Sequence, residues 1–204
     1  MRFSGTVSGM TTTDLAWDAG TWLNRPEAVQ IDGSDLLVTC RKGSDFWRTT
    51  SYGFVHDDGH ALLVPMPERS AVEVSFVLDF AEQFDQAGLL VRANEAQWVK
   101  AGVEVSDGAT QVGAVVTREV SDWSVAPVPD WVGLVVTVRA SRAGDALTVR
   151  AHAGGVWQLV RVAPLDPALA WSAGPYACAP SRAELRVRFT RFATGPADEA
   201  LHAD

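Results

Sequence analysis

Apolar residues recur at every second position along much of the chain, and this alternation constrains the fold more than any other feature. Between Val72 and Phe80 the apolar side chains alternate with residues such as Glu73, Ser75 and Asp79. A helix would spread those apolar residues around its whole surface, whereas a strand places them on one face. The same alternation recurs in 87–91, 99–105, 134–138, 147–149 and 185–189. The sequence therefore predicts an all-β protein.

Turn-forming residues separate the predicted strands. Asp107-Gly108, Gly144-Asp145 and Gly154-Gly155 lie where short hairpin loops need a positive φ. Asp57-Asp58-Gly59 favours a turn as well, and turns of this kind are far more common than the calcium site that two adjacent aspartates could also support. Many strands at about ten-residue spacing predict a β-sandwich or jelly roll, in which two antiparallel sheets share a core.

No repeat and no linker divides the 204 residues. We therefore expect a single domain over 1–204, with its core at about 15–193, a loose N-terminal start and an acidic C-terminal tail. Cys40 and Cys178 are too few for a disulfide framework or a cysteine zinc site, and the histidines lack ligand spacing. We expect buried thiols, no metal and no cofactor.

The charge balance narrows the partners. Seventeen Lys and Arg oppose 25 Asp and Glu, which gives a net charge of −8. Proteins that neutralise phosphates usually have the opposite balance, so nucleic acid and anionic membrane surfaces are poor candidates. No apolar run approaches the roughly 20 residues of a membrane span, and the N-terminus lacks the apolar region of a secretory signal, which predicts a cytoplasmic location.

One strand places chemically informative residues on the face opposite the core. Over 98–105 the valines and Ala101 occupy the core face, so Trp98, Lys100 and Glu104 share the other face. A two-residue turn at Asp107-Gly108 pairs this strand with the following one, and the numbers of residues that face each other then sum to 215. A loop centred on Glu95 pairs it with the preceding strand, and the numbers of facing residues then sum to about 190. The predicted patch then consists of Gln86, Arg92, Trp98, Lys100, Glu104, Gln111 and Thr117, with Glu119 and Trp123 further along the third strand.

This patch has two interpretations. It is a solvated sheet face, with Arg92 stacked on Trp98 and Lys100 paired with Glu104, or it is a ligand groove. An exposed indole beside hydrogen-bonding groups is how proteins hold sugar rings, because the ring face stacks and the polar groups bind hydroxyls. The sequence leaves both interpretations open.

Several motifs, taken in order from Trp17 to Phe192, resemble one family. They are Trp22-Leu-Asn-Arg-Pro26, Asp45-Phe-Trp-Arg-Thr49, Tyr52-Gly-Phe54, Phe84-Asp-Gln-Ala-Gly-Leu-Leu-Val-Arg92, Trp98-Val-Lys-Ala-Gly-Val-Glu104, Val115-Val-Thr-Arg118, Ser121-Asp-Trp-Ser124 and Tyr176-Ala-Cys-Ala-Pro180. The set resembles the concanavalin A-like domain family that includes the "regulation of enolase protein 1" group. The resemblance implies a concanavalin A-like lectin/glucanase jelly roll of two antiparallel sheets. It implies little about activity, because such folds host binders, hydrolases and scaffolds.

Some motif residues allow individual predictions. Either Phe46 or Trp47 faces outward, which makes Trp47 a candidate second stacking platform. Trp123 has two possible positions, either at the mouth of the groove or packed in the core. Asp85 holds a turn, and Cys178 is buried. The alternation assigns Arg118 to the core face of its strand, which conflicts with its charge. A bulge near Thr117 or an ion pair at the end of the sheet would resolve this conflict.

An enzyme is less favoured than a binding protein. The Glu-x-Asp-x-x-Glu motif of glucanases with this fold is absent, and Glu104 has no carboxylate partner on its own strand. Glu119 is the best partner across strands, but the predicted register leaves it several residues away. A lowered pKa would let Lys100 act as a base, although a plain ion pair is the simpler expectation.

Three functions follow from these expectations. The first is a lectin-like domain that binds a carbohydrate, a sugar phosphate or another polyhydroxy ligand through Gln86, Arg92, Trp98, Lys100 and Glu104, with Trp47 and Trp123 as further contacts. The second is a glycoside hydrolase that uses Glu104 as its catalytic residue. The third is a regulatory scaffold that presents the same face to a protein partner.

Overall fold

The computed structural model describes residues 12–202, whose regular secondary structure is almost entirely β-strand. In chain order the strands are β1 (Thr13–Asp14), β2 (Thr21–Leu23), β3 (Ala28–Asp32), β4 (Asp35–Thr39), β5 (Phe46–Arg48), β6 (Val55–Asp57), β7 (His60–Pro65), β8 (Ser70–Val77), β9 (Gln86–Asn94), β10 (Gln97–Ser106), β11 (Ala109–Arg118), β12 (Val120–Pro127), β13 (Val135–Ala143), β14 (Ala146–His152), β15 (Gln158–Pro164), β16 (Ser172–Cys178) and β17 (Arg186–Pro196). Between β12 and β13 lies a single 3-10 turn, Pro129–Trp131. Over 12–202, no helix has the length and apolar character that a bilayer span requires.

Two antiparallel sheets pack face to face around a shared apolar core, which confirms the predicted jelly-roll β-sandwich. One sheet has the order β15-β14-β13-β8-β17-β4-β3, with β1 paired to β17. The other has the order β12-β11-β10-β9-β16-β7-β2 and is called here the front sheet. Strands β5 and β6 belong to neither sheet and form a separate hairpin.

The predicted register of the front sheet is confirmed. Asp107 and Gly108 adopt φ values of 53° and 76°, as a primed hairpin turn requires, and the paired residues of β10 and β11 sum to 215. On the other side of β10, Trp98 lies opposite Arg92 and Glu104 lies opposite Gln86. The predicted Gly144-Asp145 turn also connects two paired strands, β13 and β14.

Arg118 lies at the end of β11, where its side chain is exposed. The pairing of β11 with β10 has no shift near this residue. The conflict between its charge and the core parity is therefore resolved by the end of the sheet, and the alternative of a bulge was wrong.

The described residues near both chain ends contact the sheets. Thr13 and Asp14 pair with β17, and β17 itself continues to Pro196, beyond the expected end of the core. Asp198 in the acidic tail accepts a hydrogen bond from Arg139 at 2.8 Å and also pairs with Arg150. Residues 1–11 and 203–204 of the two predicted loose ends lie outside the described residues.

A row of glycines crosses the front sheet on its outer face. Gly88 and Gly113 lie opposite Gly102 on its two neighbouring strands. A Cβ on Gly102 would overlap the backbone carbonyl of Ala87, and a Cβ on Gly88 would overlap that of Ala101. The neighbouring backbones therefore leave no space for a side chain in this row, and the outer face has a floor of bare main chain there.

This crowding makes Gly102→Ala a sensitive probe of the sheet. The substitution should lower the free energy of unfolding by about 1–3 kcal/mol, because the added methyl group must displace backbone atoms. Gly155→Ala is the matched control, since a Cβ at Gly155 has no atom within 4 Å. Urea unfolding would compare the two, and equal stability of both variants would contradict the close approach of the strands.

Candidate functional site

The β5–β6 hairpin folds over the outer face of the front sheet and creates a second apolar cluster there. Phe46 of β5 packs against Trp98 of β10, with ring centroids 5.9 Å apart. The cluster consists of Phe46, Trp47, Ala61, Leu90, Trp98, Val115, Tyr176 and Cys178. Trp98 is only 1% exposed, so its predicted role as an exposed stacking platform was wrong. The period-two pattern assigned Trp98 to the correct face, but it carried no information about the hairpin that covers it.

Polar contacts fix the hairpin in place. The Arg48 backbone N–H donates to the hydroxyl of Ser121, and its guanidinium donates to the Glu119 carbonyl, at 2.9 and 3.0 Å. Arg92 forms a bidentate ion pair with Asp57, the last residue of β6, at 2.5 and 2.8 Å. Arg92 therefore anchors the hairpin instead of stacking on Trp98, and it does not line the cleft described below.

The predicted Asp57-Asp58-Gly59 turn begins at the last residue of β6. One carboxylate of the turn pairs with Arg92, and Oδ1 of Asp58 accepts the backbone N–H of Asp45 at 3.0 Å. The backbone N–H groups of Asp58 and Gly59 both donate to the Asp45 carbonyl. These contacts account for the aspartates as turn and anchoring residues.

Lys100 is buried beneath the hairpin with 3% of its side chain exposed. Its ammonium donates to Oδ1 of Asp45 and to Oε1 of Gln86, each at 2.8 Å. Burial is the largest single influence and lowers its pKa, but Asp45 and other neighbouring groups such as Glu104 together outweigh burial and raise the pKa above its ordinary value. The raised pKa does not favour Lys100 as a base, and its ion pair is with Asp45 instead of the predicted Glu104.

Glu104 lies near Lys100 on the same face of β10. Burial raises the pKa of its carboxyl group, and the nearby charges of Lys100 and Asp45 oppose each other in their effects. Within residues 12–202 no side chain or backbone group donates a hydrogen bond to this carboxyl, although Gln86 and Gln111 lie directly opposite Glu104 on the flanking strands. Its side chain lines the cleft described next.

A cleft of about 370 Å³ lies between the hairpin and the front sheet. Its lining residues are Gly43, Asp45, Trp47, Tyr52, Phe54, His56, Phe84, Gln86, Lys100, Glu104, Val115, Trp123, Pro180 and Ser181. The aromatic rings of the hairpin form a continuous series, with Tyr52 5.5 Å from Trp47 and 5.3 Å from Phe54. The polar groups of Asp45, Gln86, Lys100 and Glu104 thus lie among aromatic walls.

The structure brings together five of the seven predicted ligand-binding residues. Gln86, Trp47, Lys100, Glu104 and Trp123 line the cleft, and both tryptophans that the sequence left undecided belong to it. Trp123 is 38% exposed, whereas Trp47 is 8% exposed. The remaining two predicted ligand residues, together with Gln111, Thr117 and Glu119 of the wider patch, do not line it.

Sequence analysis missed nine residues of the cleft, and the most informative of them are Asp45, Tyr52 and Phe54. All three lie in or beside the β5–β6 hairpin, and Asp45 is 55 positions from the lysine that it pairs with. A usable signal was present, because Phe46 and Trp47 are adjacent apolar residues on opposite faces of a strand, and both are buried. A strand buried on both faces must be covered on both sides.

Two structural predictions near the site are confirmed. Asp85 is buried and forms a bidentate pair with Arg182, and it also accepts the backbone N–H of Glu82. Cys178 is a buried free thiol whose pKa burial raises well above the ordinary value. Both residues support the walls around the cleft and are not ligand contacts.

Together, the fold and the site define a jelly-roll β-sandwich with an aromatic cleft on the outer face of one sheet. The chain belongs to the family described as "Protein of unknown function (DUF1349)", whose model matches residues 22–197. "Regulation of enolase protein 1" of Saccharomyces cerevisiae is 35% identical over 192 residues, which cover 90% of this chain and 93% of that protein. The resemblance seen in the sequence motifs is thereby confirmed.

Solved structures support the same assignment. A protein titled as functionally unknown, from Saccharomyces cerevisiae, superposes with a TM-score of 0.84 at 32% identity and covers 90% of this chain and 100% of its own. A xylan beta-1,4-xylosidase from Bacillus halodurans superposes with a TM-score of 0.61 at 14% identity. It covers 85% of this chain, but only 38% of the xylosidase is matched, and at this identity the likeness shows the fold alone.

The buried Lys100–Asp45 pair predicts a large effect for Asp45→Asn. Neutralising Asp45 leaves a buried ammonium without its counterion, which should lower the free energy of unfolding by about 3 kcal/mol or more. Asp32→Asn is the matched control, because Asp32 pairs with Arg188 on the surface and its loss should change stability little. Urea unfolding of both variants checks the difference, and a neutral Asp45→Asn would contradict the role of the pair.

Proposed function

We propose that the protein binds a carbohydrate or a similar polyhydroxy ligand in the cleft between the β5–β6 hairpin and the front sheet. The observation that carries the proposal is the placement of buried polar groups among aromatic rings. Trp47, Tyr52 and Trp123 contribute the rings, and Gln86 and Glu104 lie between them. A sugar offers the complementary surface, since its ring has an apolar face and its edge carries hydroxyl groups.

The dimensions of the cleft support a small ligand. Its volume of about 370 Å³ lies within the range of roughly 300–1,000 Å³ that is typical of small-molecule sites. The polar groups are also held in place before a ligand arrives, because Lys100 fixes both Asp45 and Gln86 through hydrogen bonds of 2.8 Å. Prearranged groups of this kind lose little conformational freedom on binding.

The likeness to the xylosidase agrees with a carbohydrate ligand but does not supply one. That protein is described as a xylan beta-1,4-xylosidase, and what it shares with this chain is the fold. Because one fold hosts many functions, the proposal depends on the cleft. The predicted cytoplasmic location remains part of the proposal, and it favours an oligosaccharide or another intracellular polyhydroxy compound over an extracellular polymer.

A glycoside hydrolase is the second candidate, and one observation favours it. Burial raises the pKa of Glu104, as a general acid requires, and Asp45 provides a second carboxylate in the same cleft. As the second carboxylate beside Glu104, Asp45 is a better candidate than the predicted Glu119, because Glu119 lies outside the cleft. However, Asp45 already accepts hydrogen bonds from Lys100 and from the Phe46 backbone, which suits a structural carboxylate better than a nucleophile.

Turnover separates the hydrolase from the binding protein. If Glu104 is the acid, wild-type protein should release reducing sugar from an oligosaccharide that it binds, and Glu104→Gln should abolish release while retaining binding. We expect binding without release in both proteins. Release by the wild type that is lost in Glu104→Gln would establish the hydrolase instead.

Removal of an aromatic wall tests the proposed binding function. Trp123→Ala should weaken oligosaccharide binding about tenfold or more, because the ring supplies stacking area at the cleft and its edge strand tolerates truncation. Trp157→Ala is the matched control, since Trp157 packs against His152 on the other sheet. Calorimetric titration against cello-, xylo- and manno-oligosaccharides and sugar phosphates measures both variants.

Two results would contradict the proposal. Equal affinities for the two tryptophan variants would place the ligand elsewhere on the molecule. Failure of wild-type protein to bind any compound in the series would remove the carbohydrate hypothesis, and the exposed rings of Tyr52 and Phe54 would then be the first surface to test as a docking site for a protein partner.

A further inference from the structure

The inference concerns the chemical class of the ligand, and it rests on the binding function proposed above. Among the charged and amide side chains that line the cleft, Glu104 is the one without a hydrogen bond to another described residue. Lys100, Asp45 and Gln86 satisfy one another through contacts of 2.8 to 3.5 Å, whereas no donor within residues 12–202 reaches the Glu104 carboxyl. This carboxyl is half-buried and therefore partly removed from water, and a ligand that supplies a donor satisfies it.

The charges around the cleft also select the kind of donor. Among the described lining residues, Lys100 is the one lysine or arginine, and Asp45 compensates its charge. When Glu104 is ionised, its charge is therefore the uncompensated one in the cleft. A cationic donor gains from this charge, and a phosphate or carboxylate group is repelled by it.

The aromatic walls favour the same type of ligand. Trp47, Tyr52 and Phe54 form a connected series of rings on the hairpin, and Trp123 belongs to the lining from β12. The faces of aromatic rings carry partial negative charge, and a desolvated cation within about 6 Å of a ring gains up to roughly 2 kcal/mol. A hydroxyl group does not gain from the rings in this way.

We propose that the cleft selects amino sugars, with a protonated amine bound to the Glu104 carboxylate and enclosed by the aromatic walls. Glu104 is then the residue that determines specificity. The sugar ring occupies the remainder of the cleft. The proposal makes sugar phosphates the poorest ligands of the series, because their phosphate would meet Glu104 and would find the ammonium of Lys100 already paired.

Three matched tetrasaccharides test this selection on unmodified protein. The tetramers of glucosamine, N-acetylglucosamine and glucose share a β-1,4-linked backbone and differ in the group on the second carbon of each ring. Calorimetric titration slightly below neutral pH should show the glucosamine tetramer binding about tenfold or more tightly than the other two, since hydrogen bonds to charged groups contribute about 1.5–3 kcal/mol. Equal affinities for all three would overturn the amine preference and leave the carbohydrate proposal standing.

A pair of glutamate variants assigns the preference to one residue. Glu104→Gln keeps the shape of the side chain and removes its charge, so it should reduce the affinity for the glucosamine tetramer to that of the neutral tetramers. Glu119→Gln makes the same change in net charge on an exposed turn outside the cleft and should keep the full preference.

The outcomes of these titrations are distinguishable. An unchanged preference in Glu104→Gln, or an equal loss in Glu119→Gln, would overturn the role of Glu104. Thermal unfolding of each variant shows whether the fold is retained. Absence of binding to all three tetramers in wild-type protein would instead contradict the proposed function itself.

Discussion

The buried ion pair between Lys100 and Asp45 is the contact on which the rest of the site depends. It joins the centre of the front sheet to the start of the β5–β6 hairpin, two segments that are 55 residues apart in the chain. Desolvation of the two charges is costly, and the cost is offset only because Gln86 and the Phe46 backbone complete the hydrogen bonds. Together with the Arg92–Asp57 and Arg48–Ser121 contacts, this pair sets the position of the hairpin and hence of the cleft.

The hairpin determines which residues remain accessible. Its residue Phe46 covers Trp98 and converts an outward-facing indole into part of a second apolar cluster. Its other rings extend past the cluster and form the wall of the cleft, while the sheet contributes Glu104 and Trp123. One part of the outer face of the front sheet is therefore buried in the second apolar cluster and the other part lines the cleft, and Lys100 lies at the boundary between them.

The strands of the front sheet and their register could be predicted because the signals that specify them lie close together in the sequence. Alternation of apolar residues assigns a face to every strand residue, and the Asp107-Gly108 turn fixes the register of β10 and β11 by its own geometry. Consequently, the neighbours of Lys100 and Glu104 across the strands could be named in advance. The fold class required little more than this pattern and the turns.

The part of the site that could not be predicted depends on contacts between distant segments. Asp45 looks like an ordinary loop residue, and nothing in its neighbours specifies Lys100 as its partner. Arg92 similarly pairs with Asp57 across 35 positions, so its stacking on Trp98 was a reasonable but wrong expectation. Packing of a short hairpin on a finished sheet is a tertiary event, for which local periodicity carries no signal.

Lysine-selective NMR provides the most direct test of the account, because the chain contains two lysines, Lys42 and Lys100. Lys42 is exposed and does not line the cleft, whereas Lys100 lies in its floor. Titration of isotope-labelled protein with the glucosamine tetramer should shift the side-chain resonance of Lys100 in a saturable manner and leave that of Lys42 unchanged. An unshifted Lys100 resonance at ligand concentrations that saturate binding would contradict a ligand site in this cleft.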